Sequence, residues 1–311
     1  MSKENDSVRL GLTAAIGAYL LWGVFPLFWK QLGDFDPVQT VGHRIVWAFA
    51  FLTLLSFWFL GSQSDRQEFF RALRSPAMWR TYTLAAILVA MNWLTFVWAM
   101  GNDQVVQASF GYYINPLMNV VLGVFLLGER LSRIQWIAIS LAALGVVILG
   151  IALQGLPWVS LVLACSFAVY SLVKKKSSLP AFQGLYLETM VLFLPALGFL
   201  IFTETTTSQG AIQVGDAKLL TLLVLAGTVT IAPLALFAFA AQRAPLSMIG
   251  VLQYIAPTMQ FLLGVFLYGE KVDTLQLCGF GCVWLALIIF VVSSQFSASS
   301  ETSNSKNRTS S

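Results

Sequence analysis

Apolar runs of about twenty residues, separated by short polar corners, fill this chain almost from end to end. About 20 helical residues cross a hydrocarbon core ~30 Å thick, so each run is a candidate membrane span. Ten spans are predicted, over residues 10–29, 37–60, 78–100, 105–127, 134–153, 158–173, 179–202, 219–241, 246–268 and 275–292. A polar segment runs from Gly61 to Pro76, and tight turns fall at Gly101-Asn-Asp and Gln154-Gly-Leu-Pro157. A polar loop from Thr203 to Asp216 reads as irregular. The tail from Ser293 is rich in Ser, Thr and Asn and reads as disordered.

The pattern also repeats. Offset by 141 positions, eleven of the seventeen residues from Tyr113 to Glu129 are identical to those from Tyr254 to Glu270. A basic residue follows in each copy, Arg130 and Lys271, and a glutamine lies six positions after each glutamate, Gln135 and Gln276. An internal repeat of this length means a duplicated unit. The chain divides into a tail (1–9), a first five-helix repeat (10–153), a second (154–292) and a tail (293–311). The earlier spans match less closely, but an offset of 144 sets Lys30 on Lys174 and Arg44 on Glu188. An odd number of spans per repeat turns the second copy upside down. Inverted repeats of this kind are a signature of secondary transporters, whose halves share a site near the midplane.

Composition agrees: 58% of residues are hydrophobic and only 10% are charged, too few to cover a water-exposed surface. Fourteen of the eighteen Lys and Arg residues fall on the side of the two termini, including Arg66, Arg71, Arg74 and Lys174 to Lys176. Only Lys30, Lys218 and Lys271 fall opposite. The excess marks the cytoplasmic side, so both termini are expected there. The net charge of +4 resides in loops and tails and gives no reason to expect nucleic acid. Cys165, Cys278 and Cys282 lie within apolar runs and read as small packing residues.

Candidate chemistry is sparse. Pro116 and Pro257 occupy matching places near the centres of spans 4 and 9 and should break those helices at the carbonyls of Tyr112 and Gln253, either as walls of a cavity or as packing kinks. Few charged residues fall inside spans, and His43, Arg44 and Glu188 stand out among them. A charge there costs roughly 2.5–3.5 kcal/mol on insertion scales, which argues for a partner or a function. Arg44 enters from one face and Glu188 from the other, so the two are expected to approach each other or to face one cavity. A structural ion pair locking the halves is the alternative. His43 could relay a proton, or be a satisfied buried histidine. Trp22, Asn92, Trp93, Tyr112, Tyr113, Asn115, Gln253, Tyr254 and Thr258 fill out a candidate substrate cavity at mid-depth, whose aromatic and amide walls suit flat or amphipathic solutes. Glu129 and Glu270 sit just ahead of spans 5 and 10, where a carboxylate favours a helix N-terminus. No phosphate-binding Gly-x-x-x-x-Gly-Lys-Ser/Thr loop, zinc-protease or hydrolase motif occurs, so neither an ATP-driven pump nor an enzyme is expected, and no cofactor or metal.

Taken together, His43-Arg44, Asn92-Trp93, Ala108-Ser-Phe-Gly-Tyr-Tyr-Ile-Asn-Pro-Leu117, Gly128-Glu-Arg-Leu131, Gln135-Trp136, Ser166-Phe-Ala-Val-Tyr170, Leu187-Glu-Thr-Met190, Gln253-Tyr-Ile-Ala-Pro257 and Tyr268-Gly-Glu-Lys271 resemble the EamA-type branch of the drug/metabolite transporter superfamily, and within it the RarD subfamily. The resemblance implies a permease of the bacterial cytoplasmic membrane that exports small organic solutes, with protons as a possible coupling ion. Two alternatives stay open at this point: an uncoupled facilitator of the same fold, and a non-transporting sensor or assembly component.

Overall fold

The computed structural model describes residues 2–102, 105–151, 158–269 and 274–308. Asp103, the turn from Gln154 to Pro157, Glu270 and Lys271 lie outside the described residues. Among the described residues, ten helical stretches are long and apolar enough to cross a membrane, and no strand occurs. Spans 1 to 5 are helices α1 (Ser2–Trp29), α2 (Pro37–Phe59), α4 (Pro76–Gly101), α5 (Val105–Leu127) and α6 (Arg133–Gly150). Spans 6 to 8 are α7 (Trp158–Lys176), α8 (Ala181–Thr206) and α10 (Ala217–Arg243). Span 9 is divided into α11 (Leu246–Leu252) and α12 (Ile255–Leu262), and span 10 belongs to α13 (Thr274–Arg308).

Local chemistry explains where these helices begin and end. The Asp36 carboxylate accepts from the Gln39 N–H at 2.7 Å, and Pro37 supplies a first-turn φ that suits a helix. Ser132 and Gln135 form a reciprocal capping box ahead of α6, which gives the repeat-conserved glutamine its role in the first copy. Gly128 (φ 69°) and Gly269 (φ 67°) hold left-handed turns at matching places in the two repeats. A side chain there would clash with its own backbone, so glycine ends both helices cheaply.

Three stretches differ from the sequence expectation. The polar segment contains a helix, α3 (Gln63–Arg74), because Phe69, Ala72 and Leu73 recur at i, i+3 and i+4 and pack against Tyr82, Leu179 and Leu187. The loop after span 7 is partly helical: α8 continues to Thr206 and a short α9 (Ala211–Val214) follows. The tail expected to be disordered from Ser293 is helical to Arg308, since neither proline nor glycine interrupts it.

The main core gathers side chains from both repeats, among them Ala15, Ala18 and Tyr19 of α1, Tyr170 of α7 and Phe237 of α10. Alanine-rich faces let these helices approach closely, the usual means of packing where lipid supplies no hydrophobic drive between helices. Phe57, Trp58, Phe125, Leu194 and Phe266 point outward. An apolar exterior with a packed, partly polar interior is the arrangement lipid demands.

Candidate functional site

Between the two repeats lies a cavity lined by Ile45 and Ala48 of α2, Val89 and Trp93 of α4, Glu188, Thr189 and Leu192 of α8, and Thr230, Ile231 and Leu234 of α10. Its walls obey the repeat. Ile45 and Thr189, and Ala48 and Leu192, are mates at the 144 offset; Val89 and Thr230, and Trp93 and Leu234, are mates at 141. The cavity therefore sits on the pseudo-twofold axis. It encloses about 10 Å³, room for roughly one water, so a solute fits only when the walls part.

Arg44 and Glu188, themselves repeat mates, flank this cavity but do not meet. The Arg44 Nε donates to Thr230 Oγ1 at 2.9 Å, and its guanidinium lies 4.8 Å from the Trp29 ring and 4.4 Å from the Trp93 ring. The Glu188 carboxylate is instead held by Lys174 Nζ at 2.5 Å, and it accepts from the Tyr170 hydroxyl at 3.1 Å. Of the two expectations, the direct approach of Arg44 to Glu188 does not occur, while both residues lie against one cavity. Each enters about seven residues deep, about 10 Å at 1.5 Å per residue, leaving roughly 10 Å of a ~30 Å core between them. Lys174 lies on the same side as Glu188, so the pair ties α7 to α8 within the second half, and the same ammonium lies 5.8 Å from the Tyr82 ring of α4. Sequence reading passed over Lys174 because it heads a run of three lysines that looks like a solvated helix end.

Around the break in span 9 a second polar cluster joins α5 to α11. Asn119 Nδ2 donates to Gln253 Oε1 at 2.9 Å and to Asn115 Oδ1 at 3.2 Å, while the Tyr254 hydroxyl donates to the Tyr113 carbonyl at 3.2 Å. Asn119 was legible as the residue one helical turn after Asn115. The helices touch closely: a Cβ on Gly250 would lie 2.8 Å from the Pro116 carbonyl oxygen and 2.8 Å from Asn119 Cβ. Gly250→Val is therefore expected to destabilise the protein by about 1–3 kcal/mol through overpacking, as a lowered midpoint of thermal unfolding in detergent.

The two prolines act differently. Pro257 follows a real interruption, Gln253–Tyr254, whose freed Gln253 carbonyl accepts from the Ala256 N–H at 3.2 Å. Pro116 sits inside a continuous α5, so the expected break there does not occur. Glu129 also departs from expectation. Its carboxylate accepts from the N–H groups of Leu246 (2.6 Å) and Ser247 (2.9 Å) and from the Ser247 hydroxyl (2.5 Å). It caps the start of span 9 in the other repeat, not span 5, whose cap is Ser132.

The remaining sequence candidates are spread out. His43 lies 6.4 Å from the Phe35 ring and does not line the cavity. Asn92 is spent on α7, donating to the Leu163 carbonyl at 2.9 Å and to Ser166 Oγ at 3.0 Å. Tyr112 faces Phe96 at 5.9 Å, Trp22 packs on Tyr19 at 5.7 Å, and Thr258 accepts from Trp284 Nε1 at 3.1 Å. No group of three or more metal-ligating side chains occurs among the described residues.

This architecture has known counterparts. The chain is 42% identical to protein RarD of Streptomyces exfoliatus, covering 93% of this chain and 90% of that one. It is 39% identical to an uncharacterized transporter of Bacillus subtilis, with coverages of 93% and 96%, and 38% identical to protein RarD of Escherichia coli, again 93% and 96%. A crystal structure with 19% sequence identity superposes with a TM-score of 0.70 over 91% of this chain and 97% of its own, a likeness of fold. The model of the EamA-like transporter family matches twice, over residues 9–151 and 154–292. With ten apolar helices and bacterial transporters as relatives, the chain is a multi-pass bacterial membrane protein, and it belongs to the EamA-like transporter family.

Proposed function

We propose that the protein exports small organic solutes from the bacterial cytoplasm by alternating access around the cavity on the pseudo-twofold axis. The observation that carries this reading is the cavity wall itself, built from α2 and α4 of one repeat and their mates α8 and α10 of the other. Two inverted halves that rock about such a site expose it to opposite sides in turn. The α5–α11 contacts, with the Glu129 cap, belong to the side of the termini, and the excess of basic residues supports placing that side in the cytoplasm. The described conformation then corresponds to a cytoplasmic seal.

Uncoupled facilitation is a second reading, favoured by the close Lys174–Glu188 pair, which gives the cavity's carboxylate a fixed partner. One series of experiments separates the two. Solutes inside and outside cells with and without the protein are compared, and whichever differs is offered to vesicles containing it. Under proton coupling, an imposed pH gradient drives accumulation and Glu188→Gln abolishes it per folded protein. A facilitator equilibrates the solute in both cases. No protein-dependent solute difference would remove the transport reading.

A further inference from the structure

Resting on the reading above, we propose that Arg44 is a receptor for the carboxylate of an organic anion whose apolar body lies in the axial cavity. The two repeat mates are treated unequally. Glu188 has a counter-ion of its own in Lys174 at 2.5 Å. Arg44 has none: the Lys174–Glu188 contact is the single Lys/Arg–carboxylate pair within 4 Å among the described residues. A guanidinium inside a membrane span is costly without an anion, and here the protein supplies rings and a hydroxyl in place of one.

The geometry shows which part of the group is available. Trp29 and Trp93 lie over it, at 4.8 and 4.4 Å, and Nε is given to Thr230. That leaves the edge carrying the two terminal nitrogens, the fork that matches a carboxylate with two parallel hydrogen bonds. Trp93 and Thr230, both of which it touches, are also cavity walls. Beyond them the lining is mostly apolar, with Ile45, Ala48, Leu192, Ile231 and Leu234, and its polar members are Thr189 and the Lys174-paired carboxylate of Glu188. An ionic head at Arg44 with a hydrocarbon body beyond it satisfies both environments. A bare inorganic anion would leave the apolar wall unused, and a cation would be repelled by Arg44.

The test uses the purified full chain in lipid nanodiscs and binding of phenylacetate, 3-phenylpropionate and octanoate, each against its own amide and amine. At least one acid is expected to bind, its amide about 10- to 100-fold more weakly, because one charge-assisted fork is lost. The amine is expected not to bind. Arg44→Gln, checked for an unchanged unfolding temperature, brings the acid to the level of the amide, and Arg44→Lys falls between because it keeps the charge without the fork. Equal binding of acid and amide, binding of the acids undiminished in Arg44→Gln, or binding of no acid in the set overturns the proposal. The acid–amide comparison needs only the unaltered protein, so a variant that fails to fold does not blunt it. Acid binding that depends on Arg44 without vesicle flux would remove the transport reading and leave this one. Flux of an uncharged solute indifferent to Arg44→Gln would do the reverse.

Discussion

Lys174→Met alone is expected to destabilise the protein by about 3–5 kcal/mol, because it strands a carboxylate where water cannot reach it. Glu188 is 1% exposed and Lys174 is fully buried. Their mutual attraction roughly offsets the cost of taking two charges out of water, so each tolerates burial only while the other is present. Replacing both residues, Lys174→Met with Glu188→Leu, should restore most of the loss, since it removes two desolvation costs along with one attraction. A remainder of about 1–3 kcal/mol is expected from the Tyr170 hydroxyl, which donates to Glu188 and would be left without an acceptor. Adding Tyr170→Phe should recover it. Unfolding midpoints of the four proteins in one detergent check the series. A Lys174→Met protein as stable as the parent would show that the pair contributes nothing, and that the second half is held by its apolar contacts alone.

The second large effect is conformational. Glu129→Ala removes three hydrogen bonds to a carboxylate at the start of span 9, and with them the favourable placement of a negative charge at a helix N-terminus. The site is partly exposed, so the loss should be about 1–2 kcal/mol, a shift of roughly 5- to 30-fold in the ratio of sealed to open forms. Glu129→Gln keeps an acceptor and should shift it less. Spin labels at Arg130 and Arg243, which flank this junction, should report a longer distance in Glu129→Ala than in the parent. An unchanged distance distribution would mean that the cap stabilises α11 without holding the seal. The Asn119–Gln253 bond and the close Gly250 contact lie on the same junction and would then carry the seal without it.

Among the polar candidates, residues on one helix and residues between helices fared differently. Tyr113, Asn115, Gln253 and Tyr254 were all read as mid-depth and polar, and the structure brings them to one α5–α11 junction. Asn92 had the same look in sequence, yet its amide is consumed by the Leu163 carbonyl and Ser166. Nothing along the chain distinguishes a polar residue turned towards a neighbouring helix from one turned towards a cavity, because the difference is a rotation about the helix axis. Thr230 was missed for the same reason. A lone threonine in an apolar run carries no signal until Arg44 is seen to reach it.

The number and order of spans, the duplication and the inversion of the second copy were determined by the sequence itself. Those properties depend on run length, on periodicity and on the tally of basic residues, and each can be read without knowing which helix touches which. Only the tertiary structure decided that Glu188 belongs to Lys174 and that Arg44 lies between two tryptophans. It also decided that Glu129 caps a helix of the opposite repeat, and that span 9 breaks while span 4 does not. Pairing between charges falls off over a few ångströms in contact and is set by the depth and rotation of each helix. A helix containing proline breaks or continues according to the neighbours that satisfy its backbone. Those quantities exist only once the helices are packed.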